Sequence, residues 1–139
     1  MKILQWVSFL TFAIAATLII YSGFNLMYPY QTIEIKSPAH VLNPIVHHGE
    51  TLQVEIDYTK YADGSCRVIR QVVDGFLYSL PVYKSSFPKG KGTQIDSSAE
   101  IPNGLPEGTY YMIVTLEYDF PPFRTVSYEF ETEKFTVIK

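Results

Sequence analysis

Thr51-Leu52-Gln53-Val54-Glu55-Ile56-Asp57-Tyr58-Thr59 alternates apolar and polar residues without a fault. In a strand successive side chains point to opposite faces, so Leu52, Val54, Ile56 and Tyr58 share one face and Gln53, Glu55, Asp57 and Thr59 the other. The stretch reads as a strand with one face buried and one wet. The same period runs through Tyr110, Met112, Val114, Leu116 and Tyr118, and through Val126, Tyr128 and Phe130. Phe135 and Val137 are out of phase with Phe130, which places a bulge or bend around Glu131 to Glu133.

Turn signals separate the runs: Asp63-Gly64, Asp74-Gly75, Lys89-Gly90-Lys91-Gly92, Pro102-Asn103-Gly104 and Pro121-Pro122. They delimit strands at Ile33 to Val46 with a break near Pro44, Thr51 to Thr59, Cys66 to Val73, Phe76 to Tyr83, Thr93 to Ile101, Thr109 to Asp119, and Arg124 to Ile138. No stretch after residue 30 has a helical period. Short strands at this spacing suit a two-sheet sandwich. The composition agrees, being 15% aromatic with 11 Tyr and 9 Phe, side chains that pack well on a pleated surface.

Leu105-Pro106-Glu107-Gly108-Thr109-Tyr110 resembles the approach to the tyrosine corner of immunoglobulin-like and fibronectin-like domains, where the Tyr hydroxyl ties back to upstream backbone. The resemblance implies an all-β immunoglobulin-like sandwich of about seven strands over Thr32 to Lys139, with Tyr110 in a structural role. It implies a fold and no activity. The paired cysteines of antibody domains are missing, and the third strand holds no Trp.

Residues 1–30 are of another kind. From Ile3 to Ile33 there is no charged residue, and Trp6 to Met27 exceeds the roughly 20 apolar residues that cross a hydrocarbon layer. Trp6 at one end, with Tyr21, Tyr28 and Tyr30 toward the other, suits the two headgroup regions. The expected organisation is a cytoplasmic tip and transmembrane anchor over 1–30 and a sandwich over 31–139. A cleaved signal peptide is the rival, but the small residues Ala15 and Ala16 are followed by Thr17 to Ile20, still membrane-like, and Tyr21 spoils a cleavage site ending at Gly23. Lys2 and the amino terminus favour a cytoplasmic N-terminus, with the C-terminal domain periplasmic or extracellular. Gln5, Ser8, Thr11, Ala15, Ser22 and Asn25 fall near one helix face, a small and polar stripe that is a candidate helix–helix contact.

If the strands alternate in direction, the loops Lys60 to Ser65, Lys84 to Gly92 and Phe120 to Phe123 return toward the anchor, and the Tyr28-Pro29-Tyr30-Gln31 joint is short. Lys84, Phe87, Lys89, Lys91, Phe120 and Phe123 thereby become candidate membrane-proximal contacts, cations for anionic headgroups and aromatics for the interface. The bland alternative is a proline-stiffened hairpin beside a solvated basic loop. His47-His48-Gly49, Asp74-Gly75 and Asn103 to Gly108 fall at the opposite end.

Little here suits catalysis. Formal net charge is -3, which leaves no broad basic surface for nucleic acid. His40, His47 and His48 have no nearby ligand partners, and on a strand His47 and His48 point opposite ways, so solvated turn histidines are expected rather than a metal site. The single Cys66 cannot form an internal disulfide, stands in no nucleophile motif, and opens an alternating strand, a core position. Lys89-Gly90-Lys91-Gly92 lacks the spacing of a phosphate loop and reads as a flexible basic loop. Glu129, Glu131 and Glu133 read as a polar strand face. No enzyme, cofactor or small-molecule substrate is expected. The expected partners are membrane lipid and another protein, bound by a membrane-tethered interaction module through strand edges or loops. The alternative is a small accessory subunit whose helix makes the main contacts.

Overall fold

A computed structural model describes residues 2–27, 31–120 and 124–139. The chain divides into two compact units, Met1–Tyr30 and Gln31–Lys139. The first is one helix, α1 (Lys2–Met27). Its stretch Ile3–Leu26 is 24 residues long, about 36 Å at 1.5 Å per residue against a hydrocarbon layer of about 30 Å. Trp6, Phe12 and Leu18 lie about 120° apart round the axis, and they are 73%, 74% and 59% exposed. This helix is therefore long enough, and apolar enough on every side, to cross a membrane.

The second unit is all β. Its strands are β1 (Ile33–Ile35), β2 (His40–Val41), β3 (Ile45–His47), β4 (Thr51–Lys60), β5 (Cys66–Val73), β6 (Leu77–Ser79), β7 (Tyr83–Ser85), β8 (Gly90–Glu100), β9 (Gly108–Phe120), β10 (Arg124–Glu131) and β11 (Phe135–Ile138). They form two sheets. In the smaller, β4 pairs along one edge with β1 and then β2, and along the other with β8. In the larger, the order is β3-β11-β9-β5-β6, with β10 pairing β9 and β7 pairing β5. Every pair is antiparallel except β3 with β11.

The alternating runs decide which faces close on each other. Leu52, Val54, Ile56 and Tyr58 of β4 are buried, as are Tyr110, Met112, Val114, Leu116 and Tyr118 of β9, and both sets belong to one apolar cluster. Burying side chains of this size contributes about 1.5–3 kcal/mol each before chain entropy is counted.

Proline breaks two expected strands. The first becomes β1, β2 and β3, interrupted at Pro38 and Pro44, and the fourth becomes β6 and β7 around Pro81; a proline has no N–H to give a ladder. One expected loop is strand instead: Gly90, Lys91 and Gly92 pair with Lys60, Thr59 and Tyr58. Tertiary pairing outweighs the low strand preference of glycine here, and a Cβ on Gly92 would stand only 3.0 Å from the Tyr58 hydroxyl.

The bend before Phe135 is present as a bulge. Between the pairs Glu131/Ile113 and Phe135/Tyr110, four steps on one strand answer three on the other. Buried Thr132 pins it: its Oγ1 accepts the Met112 N–H at 2.9 Å and donates to the Glu133 carbonyl at 2.9 Å. Ala39 ties in from the side, donating to the Glu131 carbonyl at 2.8 Å and accepting the Glu133 N–H at 2.9 Å.

The register also sorts the loops. The Tyr61 N–H donates to the Thr32 carbonyl at 2.8 Å. Lys60 pairs with both Ile33 and Gly90, and Arg67 with both Lys84 and Glu117. The turns after β4 and β7 and the end of β9 thus gather at the end where the chain enters the domain. The turns after β3, β5 and β8 occupy the other end, where Gly49 donates to the Ile101 carbonyl at 2.9 Å.

Candidate interaction surface

Most edges of the two sheets are short. Among the described residues the outer strands β1, β2, β3, β6 and β7 have two or three residues each and β10, which pairs only with β9, has eight, whereas β8 has 11 and pairs only with β4. Its second edge therefore presents a row of backbone N–H and C=O groups with no strand beside it, the feature most prone to pair with another chain.

β8 is also inverted in character. Along the other long strands the apolar residues point inward, but here Gly92, Gln94 and Asp96 are the half-buried positions while Lys91, Thr93 and Ile95 face out, Ile95 at 56% exposure. Lys91 and Thr93 border a shallow cleft of about 520 Å³ with Glu34, Lys36, Asp57 and Thr59 on the outer face of the smaller sheet. Thr93 Oγ1 donates to Asp57 Oδ1 at 2.6 Å.

One residue is extra in β8. From Val54/Asp96 to Leu52/Ala99 it uses three steps against two on β4, which sets a bulge at Ser97–Ser98. A buried charge fixes that bulge from the opposite sheet. Arg70 of β5 is 3% exposed, occupying the inward phase of Cys66, Val68 and Val72. Its Nη1 donates to Ser98 Oγ at 2.8 Å and lies 3.8 Å from Asp96 Oδ2, and its Nη2 donates to the Pro81 carbonyl at 3.1 Å. Asp96 Oδ1 accepts the Ser98 N–H at 2.9 Å, and Oδ2 accepts the Tyr83 hydroxyl at 2.8 Å. The guanidinium covers the Tyr83 ring at 4.5 Å, and burial, chiefly, pushes the Tyr83 hydroxyl up to about 12. Four side chains from three strands thus hold one irregular edge in place. None of the four stands out by motif; the available signal was Arg70 itself, a charge in an inward phase.

Compared with known protein families and with curated proteins, the chain matches none.

The residues singled out from sequence are distributed as follows. Lys84 in β7, Lys89 before β8 and Lys91 within it are exposed at the chain-entry end. Phe87, expected beside them at the surface, is buried at 4% exposure with its ring edge-on to Tyr58 at 5.0 Å, so it is a core residue and unavailable for surface contact. Phe120 is half-buried against the core. Phe123 and the two prolines before it lie outside the described residues, as do Tyr28 and Tyr30. Tyr110 is buried and its hydroxyl donates to the Pro106 carbonyl at 2.7 Å, the type of bond a tyrosine corner makes. On α1, Ser8, Thr11 and Ala15 are exposed and Ser22 is half-buried; Thr11 Oγ1 donates within its own helix to the Val7 carbonyl at 2.9 Å.

The histidines serve turns and edges. His48 Nε2 lies 2.6 Å from the Leu105 carbonyl, and His47 Nδ1 lies 3.2 Å from Glu50 Oε2. His40 Nδ1 lies 2.7 Å from Glu133 Oε2, which also accepts the Val41 N–H at 3.2 Å. That backbone donor first, and His40 second, hold the Glu133 carboxyl below its ordinary value of 4.5. A carboxyl whose folded pKa is depressed adds stability above its unfolded pKa and loses it as pH falls through the folded one. Glu133→Gln is therefore expected to lower Tm at neutral pH and to make its decline on acidification shallower below about pH 5, as thermal melts across that range would show.

Cys66 is 2% exposed, its thiol donating to the Ser85 carbonyl at 3.6 Å, and burial pushes its pKa up. A protonated, covered thiol is a poor nucleophile. In the folded protein at pH 8 it should resist a disulfide reagent such as dithionitrobenzoate and react fully in denaturant. Prompt reaction without denaturant would show that this end of the core opens.

Proposed function

We propose that this chain is a membrane-tethered protein-interaction module, with an immunoglobulin-like sandwich that binds through the free edge of β8. The observation that carries the reading is that 11-residue strand, the longest among the described residues to pair along one side alone; β10, with eight residues, pairs only with β9, and the remaining outer strands have two or three. Strand addition to such an edge supplies main-chain hydrogen bonds for affinity and alternate side chains for selectivity.

The immunoglobulin-like reading is supported by the division of the extended runs between the sheets. The first, second and fifth lie mainly in one sheet and the third, fourth, sixth and seventh in the other, an order close to the ABE and CFG halves of such domains. Tethering is supported by the length and apolar surface of α1, and a cytoplasmic N-terminus by Lys2. Lys84 and Lys89 sit at the chain-entry end, suited to an anionic headgroup layer at about 1 kcal/mol each. In nanodiscs containing phosphatidylserine, acylation of Lys84 and Lys89 should be slowed relative to Lys139, and restored when the lipid is neutral.

A pair of changes tests the function. Replacing Trp6–Met27 with an unrelated spanning helix should preserve partner capture in the membrane, and Ile95→Lys should abolish it. Loss of capture in the helix variant, with Ile95→Lys still active, would mean that α1 makes the main contacts and would overturn the proposal.

A further inference from the structure

We infer that the partner of the β8 edge is a second copy of this chain, the two β8 strands pairing antiparallel about a twofold axis at Ile95. This rests on the reading of β8 as the contact edge and names its occupant.

The argument comes from the register. β4 counts the bulge at Ser97–Ser98 as one step, and on that count the strand is self-complementary about Ile95. One step away Gln94 meets Asp96, and two steps away Thr93 meets the bulge. Three steps away Gly92 meets Ala99, and four steps away Lys91 meets Glu100. Directly opposed residues of an antiparallel pair share a face. Lys91, Thr93, Ile95 and Glu100 are exposed, while Gly92 and Gln94 are half-buried and Ala99 is buried, so every opposed pair matches in facing. The outer face then carries Ile95 against Ile95 at its centre, flanked by a Lys91–Glu100 pair on each side. On the inner face Gly92 against Ala99 leaves the two chains room to close.

Were the same residues to run on without the bulge at Ser97–Ser98, this match would fail, because Glu100 would then stand five steps from Ile95 and face opposite to Lys91. The Arg70–Asp96–Ser98 cluster that holds the bulge thus also sets the charge pairing of the edge. Antiparallel pairing sends the two chain-entry ends in opposite directions along the strands.

The test uses the full chain in detergent, its mass followed by sedimentation across a concentration series. The wild type should be dimeric at high concentration. Lys91→Glu and Glu100→Lys should each raise the dimer Kd about tenfold or more, and the double reversal should return it to near the wild-type value. Ile95→Cys should give a covalent dimer on mild oxidation, whereas the wild type, with only buried Cys66, should not. A chain that stays monomeric at every concentration overturns the inference, since Lys91 and the bulge then act as guards that keep the edge unpaired. So does a dimer in which the double reversal gives no rescue. A photo-crosslinking residue at position 95, used in cells, separates the two levels. Capture of a second copy supports the inference; capture of a different protein by a monomeric chain overturns self-pairing while the interaction reading stands; capture of nothing overturns both.

Discussion

Arg70→Ala is expected to destabilise the sandwich by about 3–5 kcal/mol, a large part of the roughly 5–15 kcal/mol that holds a domain of this size. Arg70 and Asp96 are almost enclosed, with side chains 3% and 10% exposed. Removing the guanidinium leaves a carboxylate facing the core with only Tyr83 and Ser98 as donors. It also uncovers the Tyr83 ring and frees the Pro81 carbonyl. Removing both charges is a different matter, because the pair's attraction largely offsets its own desolvation. The double variant Arg70→Met, Asp96→Leu should therefore be much more stable than Arg70→Ala, by a margin that chemical denaturation would resolve. A loss below about 1 kcal/mol in Arg70→Ala, as for an exposed ion pair, would mean that water reaches the cluster.

Phe135→Ala is expected to cost a similar amount, about 3–5 kcal/mol, through lost burial and the cavity left behind. Phe135 is 1% exposed and stacks on Tyr110 with ring centroids 6.2 Å apart and planes inclined by 30°. Its inward position depends on the bulge at Thr132: were the same residues to run on as a regular strand, the phase that buries Phe130 would turn Phe135, five steps on, to solvent. Thr132→Val tests the same point differently. It keeps the shape but removes the acceptor for the buried Met112 N–H, and an unsatisfied donor of this kind costs about 1–3 kcal/mol. If Phe135→Ala were nearly neutral in denaturant melts, the final strand would have to run in the other phase.

The features legible in the sequence were those set by short-range period. The alternation in β4 and β9 states which residues are buried, and the mismatch between Phe130 and Phe135 locates the bulge. The spanning length of α1 can be counted directly. Features that depend on distant chain were not legible. Phe87 lies between Ser86 and Pro88-Lys89-Gly90, a context that reads as loop, yet the Tyr58 ring from another strand makes it core. Gly90 to Gly92 read as a turn until Tyr58, Thr59 and Lys60 are placed alongside them. β8 carries no apolar alternation in its sequence, so which face is inward is not stated there, and its one large apolar residue, Ile95, points out. Arg70 was visible as a charge in a buried phase. Its partner Asp96, 26 residues on and in the opposite sheet, was not.

The claim on which the rest depends is that α1 stays attached and spans, leaving the sandwich on the far side of the membrane. Accessibility of two introduced cysteines measures it directly, with Cys66 buried and silent. In cells making the full chain, Lys139→Cys should react with a membrane-impermeant maleimide from outside, once any outer envelope is opened. A cysteine inserted between Met1 and Lys2, which leaves the orienting charge in place, should react only after permeabilisation, and the Lys139→Cys product should keep the mass of all 139 residues. A product lacking the first twenty or so residues, or one released by alkaline carbonate, would contradict the anchor, and labelling of the inserted cysteine from outside would reverse the orientation.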